Sequence, residues 1–508
     1  MEKYDICVIG GGPAGYAAVM RALDFDMKVL LVEKNKIGGA GLYDGALSSK
    51  TLWELSKDVY TARERIQKYS KCKDFILDYT QVKRELHEAI TQRKDQLEYH
   101  LNALQKEGYS EKLFVKNGEA KLKTNHEITI TTPSKETETI YAENIILATG
   151  SSPRKLPHIP VDEKIIVTSD GIHHFDELPE SLVILGAGVI GCEYATIFSG
   201  FGKTKVNIID KADHILPFED DDVSGIVEAN FEKDGINIHR NSWLERMEIK
   251  DGHVEYELSY ANGDKEVFEV EKALMAVGRI PNTANLGLED VGVELTSRGS
   301  VVNTDTQTTV PNIYAIGDLT ADMNLVNVGE LEGRHAVERI AHKDDKPLSY
   351  DNISSIMFLK PLVAGVGMNE KQARANGVSY QVVSINYSMI PRAIAMRNAD
   401  GFFKILVSNN REMKVLGMRA VGAQASSAIQ AVALLIAQGK SVSELAELIH
   451  PHPSLIEGIQ ECCRMLLGKS IFKPYVFKDM KYEGYMEGEY SDMSDTSAEI
   501  RDINFDHK

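Results

Sequence analysis

Cysteine is scarce in this sequence. Its 508 residues contain five, at positions 7, 72, 192, 462 and 463, which is too few and too scattered for the disulfide framework of a small secreted protein. None of the spacings that bind zinc occurs among them. The sequence therefore predicts a reduced environment and no metal site.

A long uncharged apolar run is also missing, so no segment is predicted to span a membrane. The opening residues, MEKYDICVIGGGPAG, interrupt their apolar run with glycines and indicate a strand and a turn rather than a signal peptide. Basic residues number 57 against 75 acidic ones, and the formal charge of −18 argues against nucleic acid or an anionic membrane as partner. We expect a cytoplasmic protein with no nucleic-acid partner and no membrane insertion.

Glycine, by contrast, is placed with a pattern. In YDICVIGGGPAGYAAVMRALDFDMKVLLVEK, a strand leads into a turn with Gly10, Gly12 and Gly15, then a helix and a second strand that ends in Glu33. The glycines permit a tight turn and close approach of the backbone to a pyrophosphate, which the helix N-terminus then faces. Glu33 can accept a hydrogen bond from a ribose hydroxyl. The segment predicts a dinucleotide site.

The same pattern returns in SLVILGAGVIGCEYATIFSGFGKTKVNIIDK, with Gly186, Gly188 and Gly191 in the turn and Asp210 closing the second strand. A carboxylate there binds a ribose diol and repels a 2′-phosphate, which favours NADH over NADPH. The neighbouring Lys211 weakens this preference and leaves NADP(H) open. Two motifs predict two dinucleotides, and a flavin with a nicotinamide that exchange a hydride is the simplest pair.

Further motifs make the chain resemble a known family. They are IILATGSSPRKLP (145–157), LMAVGRIPNT (274–283), TTVPNIYAIGDLT (308–320) and HPHPSLIEG (450–458). From about residue 3 to about 474 the chain resembles the pyridine nucleotide–disulfide oxidoreductases, most closely dihydrolipoamide dehydrogenases and soluble transhydrogenases. The resemblance implies an α/β fold with two Rossmann-like dinucleotide-binding domains and a C-terminal α+β dimerisation domain. It also implies FAD and NAD(H) as cofactors and a homodimer.

The resemblance implies roles for single residues as well. Asp318 would hold the ribityl hydroxyls of the flavin, and Gly317 would let the backbone come close. Lys50 would lie beside the flavin N5 and pair with Glu193. The other cofactor contacts that it implies are Gly118 and Ala120 along the adenosine end of FAD, Gly150 and Gly278 within their motifs, and Arg279 in the segment that closes over the nicotinamide nucleotide.

The domains follow from the same motifs. We expect an FAD-binding domain in two parts, 1–155 and 285–347, an NAD(P)-binding domain at 156–284, and a dimerisation domain at 348–474. Apolar residues at helical spacing between about 54 and 107 predict long amphipathic helices, and the alternation in EITITTPSKETETIYAENIILATG predicts a β-hairpin. The acidic residues 475–508 lack an apolar period and predict a disordered extension.

Sulfur is missing where the family carries it. The family motif runs Gly-Gly-Thr-Cys-Leu-Asn-Val-Gly-Cys-Ile-Pro-Ser-Lys, and its two cysteines fall on Gly41 and Ala46 without any gap. Tyr43, Asp44 and Ser48 depart from the motif too. A thiolate is needed to attack a disulfide, so glycine and alanine exclude that reaction. The adjacent Cys462 and Cys463 are predicted to pack in a helix rather than to bind a soft metal.

His452 and Glu457 match the acid/base dyad of the family, in which the histidine of one subunit reaches the flavin of the other. A glutamate that accepts the second N–H of the imidazole orients the ring and raises its pKa. Without a thiol to deprotonate, three interpretations stay open. The dyad protonates a reduced acceptor such as a quinone, or only packs, or organises the dimer interface.

The two nucleotide motifs and the Lys50–Glu193 pair predict an FAD-dependent NAD(P)H oxidoreductase with a non-disulfide acceptor such as a quinone. One alternative is a soluble pyridine nucleotide transhydrogenase, in which NADP(H) and NAD(H) use one site in turn. Another is a dihydrolipoamide dehydrogenase-like flavoprotein with a redox-sensing or structural role and no catalysis. The complete second nucleotide motif argues against that last alternative, because a scaffold has no need of NADH.

Overall fold

The computed structural model describes residues 1–71, 74–343, 346–486 and 489–492, so Cys72 lies outside the described residues. The chain divides into two compact units. The first comprises residues 1–186, 197–209 and 242–348, and the second comprises 187–196, 210–241 and 349 onward. The predicted domain boundaries stay a prediction. Strands and helices are numbered below in chain order.

The largest sheet of the first unit joins nine strands among the described residues, and five of them run parallel at its centre. Their apolar runs are buried on both faces, as expected of a parallel sheet covered on both sides. The strands are β1 (Lys3–Ile9), β2 (Val29–Glu33), β3 (Leu113–Asn117), β4 (Glu119–Leu122), β5 (Glu127–Thr131), β6 (Thr137–Leu147), β17 (Asn303–Thr304), β18 (Gln307–Thr308) and β19 (Ile313–Ala315). The order β17-β18-β19-β6-β1-β2-β3 places the predicted glycine motif at the centre, and β5 and β6 form the predicted hairpin.

The first unit also contains a second parallel sheet, in the order β10-β9-β15-β8. Three antiparallel strands lie beside it in one apolar core, and a short strand pair completes the described strands of this unit. The parallel strands are β8 (Ile166–Thr168), β9 (Ser181–Leu185), β10 (Lys205–Ile209) and β15 (Lys272–Met275). The others are β12 (Ser242–Lys250), β13 (His253–Tyr260), β14 (Lys265–Val270), β7 (Ser151–Pro153) and β16 (Arg279–Pro281).

The helices of the first unit cover the large sheet and carry the predicted amphipathic segment. The helices predicted between about 54 and 107 are confirmed. Two long helices lie there, and they bury Leu86, Leu97 and Leu101. The helices are α1 (Pro13–Asp24), α2 (Gly39–Leu42), α3 (Ala46–Tyr69), α4 (Tyr79–Lys106) and α7 (Val326–Ile340). Helix α5 (Val189–Phe201) has residues in both units.

The second unit is built on an antiparallel sheet in the order β20-β21-β24-β23-β22-β25-β26. One apolar core lies between this sheet and helices that include the cysteine pair. The strands are β20 (Ser354–Met357), β21 (Val363–Gly367), β22 (Tyr380–Asn386), β23 (Phe402–Ser408), β24 (Val415–Val421), β25 (Met480–Met486) and β26 (Glu489–Asp492), with β11 (Asn237–His239) elsewhere in the unit. The helices are α6 (Asp221–Lys233), α8 (Glu370–Ala375), α9 (Pro391–Met396), α10 (Ala425–Ala428), α11 (Gln430–Ala437), α12 (Ser443–Ala446) and α13 (Glu457–Leu466).

The prediction of a disordered extension from residue 475 is wrong for its first half. Strand β25 pairs antiparallel with β22, and β26 folds back onto β25. Met480 and Tyr482 alternate with exposed residues and are 3% and 6% exposed, a period-2 pattern hidden by the acidic residues around it. Residues 493–508 lie outside the described residues.

Candidate functional site

The first glycine motif forms the turn from β1 into α1. Gly10 has a φ of 111°, and a Cβ there would stand 2.2 Å from the carbonyl oxygen of Ala148. A Cβ on Gly15 would stand 2.0 Å from the carbonyl oxygen of Gly10, so both positions need glycine for packing within the chain. Gly12, the N-cap of α1, is different, because a Cβ there meets nothing within 4 Å. Its open space is a cradle for a phosphate at the helix N-terminus.

Glu33 lies at the end of β2, beside this turn. Its two carboxylate oxygens accept hydrogen bonds from the N–H of Gly11 at 2.7 Å and of Asn35 at 2.6 Å. The N–H of Gly118 donates to the main-chain oxygen of Glu33 at 3.0 Å, and Ala120 follows in β4 with 3% exposure. The predicted contacts for the adenosine half of FAD therefore lie together at one edge of the sheet.

Asp318 lies in a 3₁₀ turn, Gly317–Leu319, that follows β19. The hydroxyl of Ser151 donates to Asp318 Oδ2 at 2.7 Å, and Arg279 donates from Nε to the same hydroxyl oxygen at 2.7 Å. Arg279 Nε itself is 3.9 Å from Asp318 Oδ2. Arg279, which the resemblance assigned to the nicotinamide side, thus lies with the residue predicted to hold the ribityl chain.

Ser151 is a site residue that the sequence did not single out, although it directly follows Gly150 in a quoted motif. Ser151, Arg279 and Asp318 each directly follow a glycine in the left-handed region. These glycines are Gly150, Gly278 and Gly317, with φ values of 67°, 102° and 67°. A Cβ on Gly150 or Gly278 meets nothing within 4 Å. The N–H of Gly317 donates to the buried Glu332 at 2.6 Å, which holds the turn in place.

The second glycine motif repeats the geometry of the first. Gly186 has a φ of 106°, and its Cβ would stand 2.5 Å from the carbonyl oxygen of Ala276. A Cβ on Gly188 meets nothing within 4 Å, and Gly191 lies in the first turn of α5. Asp210 accepts from the N–H of Ala187 at 2.6 Å and of Ala212 at 2.9 Å. This carboxylate is held at the end of its strand as Glu33 is.

The segment from Gly38 to Lys50 carries no sulfur. A Cβ on Gly41 would stand 2.4 Å from Cγ of Pro13, and Ala46 is the first residue of α3. Lys50 donates from Nζ to the hydroxyl of Ser49 at 3.2 Å. Glu193 is 5% exposed and accepts from the N–H of Phe358 at 3.0 Å. Lys50 and Glu193 belong to different units, and their pairing stays a prediction.

His452 and Glu457 form the predicted pair, with His452 Nδ1 at 2.9 Å from Glu457 Oε1. The other oxygen of Glu457 accepts from the N–H of Ser454 at 2.7 Å. Burial raises the pKa of Glu457, but the hydrogen bonds from Ser454 and His452 outweigh it and hold the pKa below its ordinary value. The imidazole is 68% exposed, so its second nitrogen is open to a partner.

All four thiols among the described residues, Cys7, Cys192, Cys462 and Cys463, are fully buried. Burial raises the pKa of each, to about 12 for Cys7 and for Cys463. None of these is a thiolate near neutral pH. The prediction that Cys462 and Cys463 pack in a helix is confirmed by their place in α13 and its core.

One group of carboxylates among the described residues, Asp220, Asp222 and Glu370, has the spacing of a metal site. The ammonium of Lys404 lies among them, at 2.8, 2.7 and 2.9 Å from their oxygens. Lys404 is 2% exposed, so a buried ammonium already occupies the centre of this group, whose member Asp222 is exposed. No described helix is long and apolar enough to cross a membrane.

Two parallel sheets, each entered by a glycine turn with an open cradle, and an antiparallel C-terminal sheet are the architecture of a protein that binds two dinucleotides. Comparison with known proteins agrees. Residues 4–333 match the family model of the pyridine nucleotide-disulphide oxidoreductases, and 353–463 match the dimerisation domain of the same family. The chain belongs to this family.

Several of its relatives are dihydrolipoyl dehydrogenases. The one from Chlamydia muridarum is 34% identical over 93% of this chain and 99% of that protein. One of two from Bacillus subtilis is 32% identical over 92% of this chain and 99% of that protein. Among solved structures, LpdA from Mycobacterium tuberculosis aligns with a TM-score of 0.82 at 26% identity, covering 92% of this chain and 100% of that one. The Cu(II) complex of the flavoprotein disulfide reductase RclA from Escherichia coli aligns with a TM-score of 0.80, also at 26% identity and with the same coverage.

The family confirms the predicted fold class and cofactors. Its members depend on FAD and NAD(H), and the open cradles at Gly12 and Gly188 fit such groups. The chain is a flavin-dependent pyridine nucleotide oxidoreductase of the dihydrolipoyl dehydrogenase type.

Proposed function

We propose that this protein passes reducing equivalents from NADH to a non-disulfide acceptor such as a quinone. The observation that carries the proposal is the lack of space for a side chain at Gly41, where a Cβ would stand 2.4 Å from Pro13 Cγ. The first family cysteine has neither its sulfur nor the space for it. FAD, held by the glycine turn at Gly12 and by Glu33 and Asp318, would supply the hydride and electron transfer between NADH and the acceptor.

The other described cysteines give no substitute. Each is fully buried, and burial raises its pKa, so a thiol–disulfide exchange at any of them lacks its nucleophile. Lipoamide is therefore an unsuitable acceptor for this chain. An acceptor that takes electrons by direct approach to the flavin needs only a cavity of suitable size.

A cavity of about 390 Å³ lies beside the closed position. Its wall includes Gly12, the predicted phosphate cradle of FAD, together with Gly41 and the apolar Pro13, Leu42, Leu47 and Leu97. The polar lining residues are Tyr16, Gln92, Arg93, Gln96 and Glu330. Bound FAD would occupy the part of the cavity at Gly12, and the mostly apolar remainder with its few polar groups suits a planar ring that carries carbonyl oxygens.

The residues of the chain have separate tasks in this reaction. Asp318 and Glu33 would hold the two ends of FAD, and Asp210 would favour NADH over NADPH. Lys50 and Glu193 would set the charge near the reacting ring. In a homodimer, His452, oriented by Glu457, would deliver a proton to the reduced acceptor. The exposed Leu448 and Ile449, at 48% and 99%, offer apolar area for such an interface.

The test is the oxidative half-reaction of the NADH-reduced protein, mixed anaerobically with menadione, NADP⁺ or lipoamide, and separately with oxygen. We expect menadione to reoxidise the flavin fastest, oxygen slowly and lipoamide not at all. Rapid reoxidation by lipoamide overturns the proposal. A faster reaction with NADP⁺ than with menadione replaces it with transhydrogenation, and failure of NADH to bleach the flavin replaces it with a non-catalytic role.

A variant pair tests the cavity itself. Ala89 lines it from α4, and Ala89→Trp fills part of its volume. We expect this substitution to raise the KM for menadione about tenfold, while flavin reduction by NADH keeps its rate. Ile76→Trp is the matched control, because Ile76 is 90% exposed and is not part of the lining. Equal KM values in the two variants would place the acceptor elsewhere.

A further inference from the structure

A buried polar contact joins the sulfur-free segment to the second parallel sheet of the same unit. Ser48 Oγ lies 3.3 Å from Nε2 of His173. Ser48 is in the first turn of α3, and His173 is in the 3₁₀ turn Ile172–His174 that follows β8. The two side chains are 125 positions apart in sequence and only 0% and 9% exposed.

Buried polar groups cost free energy unless they are hydrogen-bonded. The Ser48 hydroxyl and the His173 imidazole can form such a bond with each other. A neutral imidazole has one donor and one acceptor nitrogen. The hydroxyl of Ser48 can donate to the acceptor. The backbone of Asp44 also acts on the ring, since it raises the pKa of His173 against the effect of burial. The ring thus touches the segment at two points, one on each side of Ala46.

Both points lie where the chain departs from the family motif. Ser48 replaces a proline, which has no side-chain donor, and Asp44 replaces a valine. In disulfide members a covalent bond between positions 41 and 46 closes this loop. Here the loop has no such bond, and the next residues of α3 lead to Lys50, predicted to lie beside the flavin.

We propose that His173 is a positioning residue that, with Ser48, holds the loop from Asp44 to Ser48 in the place of the missing disulfide. The proposal rests on the proposed function for the statement that this loop lines the flavin. His173 acts through the loop and through Lys50, and it touches neither the acceptor nor the nicotinamide. We call these three attachment points, Asp44, Ser48 and His173, the loop clasp.

The first test needs no turnover. Amide hydrogen exchange is measured by mass spectrometry in the FAD-loaded protein, with His173→Leu, Ser48→Ala and the double variant. We expect exchange in peptides from residues 41–50 to accelerate in both single variants, by about tenfold in His173→Leu, and the double variant to match His173→Leu, because that variant already lacks the Ser48 contact. Peptides from β23 should not change. Unchanged exchange at 41–50, or effects that add, would overturn the clasp.

The second test separates positioning from simple stabilisation. We expect His173→Leu to slow flavin reduction at saturating NADH about tenfold while the half-saturating NADH concentration stays within about twofold. His173→Gln keeps a donor and an acceptor and should restore the rate. His174→Leu is the matched control, because His174 is the exposed neighbour in the same turn. A normal rate in His173→Leu, or no rescue by glutamine, contradicts positioning.

A protein that fails to react with NADH would refute the proposed function without deciding the clasp. The visible circular dichroism of bound flavin reports on the surroundings of the ring in the absence of any reaction. We expect this signal to change in His173→Leu and Ser48→Ala and to return in His173→Gln. An unchanged signal in both single variants, together with unchanged exchange, refutes the clasp whatever the reactivity of the protein.

Discussion

Pro13, the first residue of α1, lies so close to Gly41 that a Cβ built on Gly41 would stand 2.4 Å from Pro13 Cγ. The structure therefore has no room for a side chain at position 41, because the proline ring at the start of a helix has little freedom to move away. Restoring a cysteine at position 41 would therefore also require Pro13 to move.

The double variant Gly41→Cys/Ala46→Cys should not regain a disulfide under conditions that oxidise exposed thiol pairs. Overpacking against Pro13 is expected to lower the free energy of unfolding by about 1–3 kcal/mol. Thiol titration of the denatured protein counts the free sulfurs, and urea unfolding gives the stability. Ala46→Cys alone is the control and should keep wild-type stability. A double variant with an oxidised pair and normal stability would show that the loop can open.

Gly12 and Gly15 separate binding from packing in the first glycine motif. A Cβ on Gly12 meets nothing within 4 Å, whereas one on Gly15 stands 2.0 Å from a carbonyl oxygen of the chain. We expect Gly12→Ala to fold normally and to lose affinity for FAD by about tenfold to a hundredfold, since the methyl group enters the phosphate cradle. Gly15→Ala should lower the yield of folded protein. Flavin absorbance per chain and thermal melting measure the two effects.

Gly188→Ala makes the same change in the second motif, where a Cβ also meets nothing within 4 Å. The half-saturating NADH concentration for flavin reduction should rise by about tenfold to a hundredfold. The flavin content should stay at the wild-type level, which is the opposite of the result for Gly12→Ala. The two variants serve as controls for each other. Loss of flavin from Gly188→Ala would mean that the assignment of cofactors to the two motifs is wrong.

The sequence was sufficient for the fold because its signals are local. Strand, glycine turn and helix follow one another within about 30 residues, and Glu33 and Asp210 mark the ends of their strands. The same local signals predicted the long helices α3 and α4 and the hairpin of β5 and β6.

Contacts between distant segments were not predictable in this way. Ser151 bonds with Asp318 across 167 positions, and Ser48 with His173 across 125. Serine and histidine have no periodic signal that marks a partner, and only the folded chain brings them together. Strand β25 was missed for a related reason, because its pairing with β22 supplies the support that its composition does not indicate.

The hairpin of β25 and β26 covers the edge of the C-terminal sheet. A chain ended after Lys478 would expose the edge of β22 and lose the burial of Met480 and Tyr482, which are 3% and 6% exposed. At about 1.5–3 kcal/mol for each side chain, the melting temperature should fall by roughly 5–10 °C. A chain ended after Asp492 keeps the hairpin and is the control. Equal melting temperatures for the two chains would mean that the hairpin contributes no stability.

The free energy of unfolding should fall at acid pH because of His173. Burial, with a smaller contribution from His174, lowers the pKa of His173 to about 4. In the unfolded chain the pKa returns to about 6.5, so the unfolded chain binds more protons between these two values. The contribution of His173 to stability is therefore complete above about pH 6.5 and is lost as the pH falls towards 4.

Urea unfolding of wild type and His173→Leu at several pH values between 7.5 and 4.5 measures this contribution. The difference in free energy of unfolding between the two proteins should shrink by about 2–3 kcal/mol on acidification, because leucine does not titrate. His174→Leu removes only the smaller contribution to the lowered pKa and should keep most of the loss of stability that wild type shows on acidification. Parallel curves for wild type and His173→Leu would mean that His173 binds its proton equally well in both states, and the uncharged loop clasp would lose its basis.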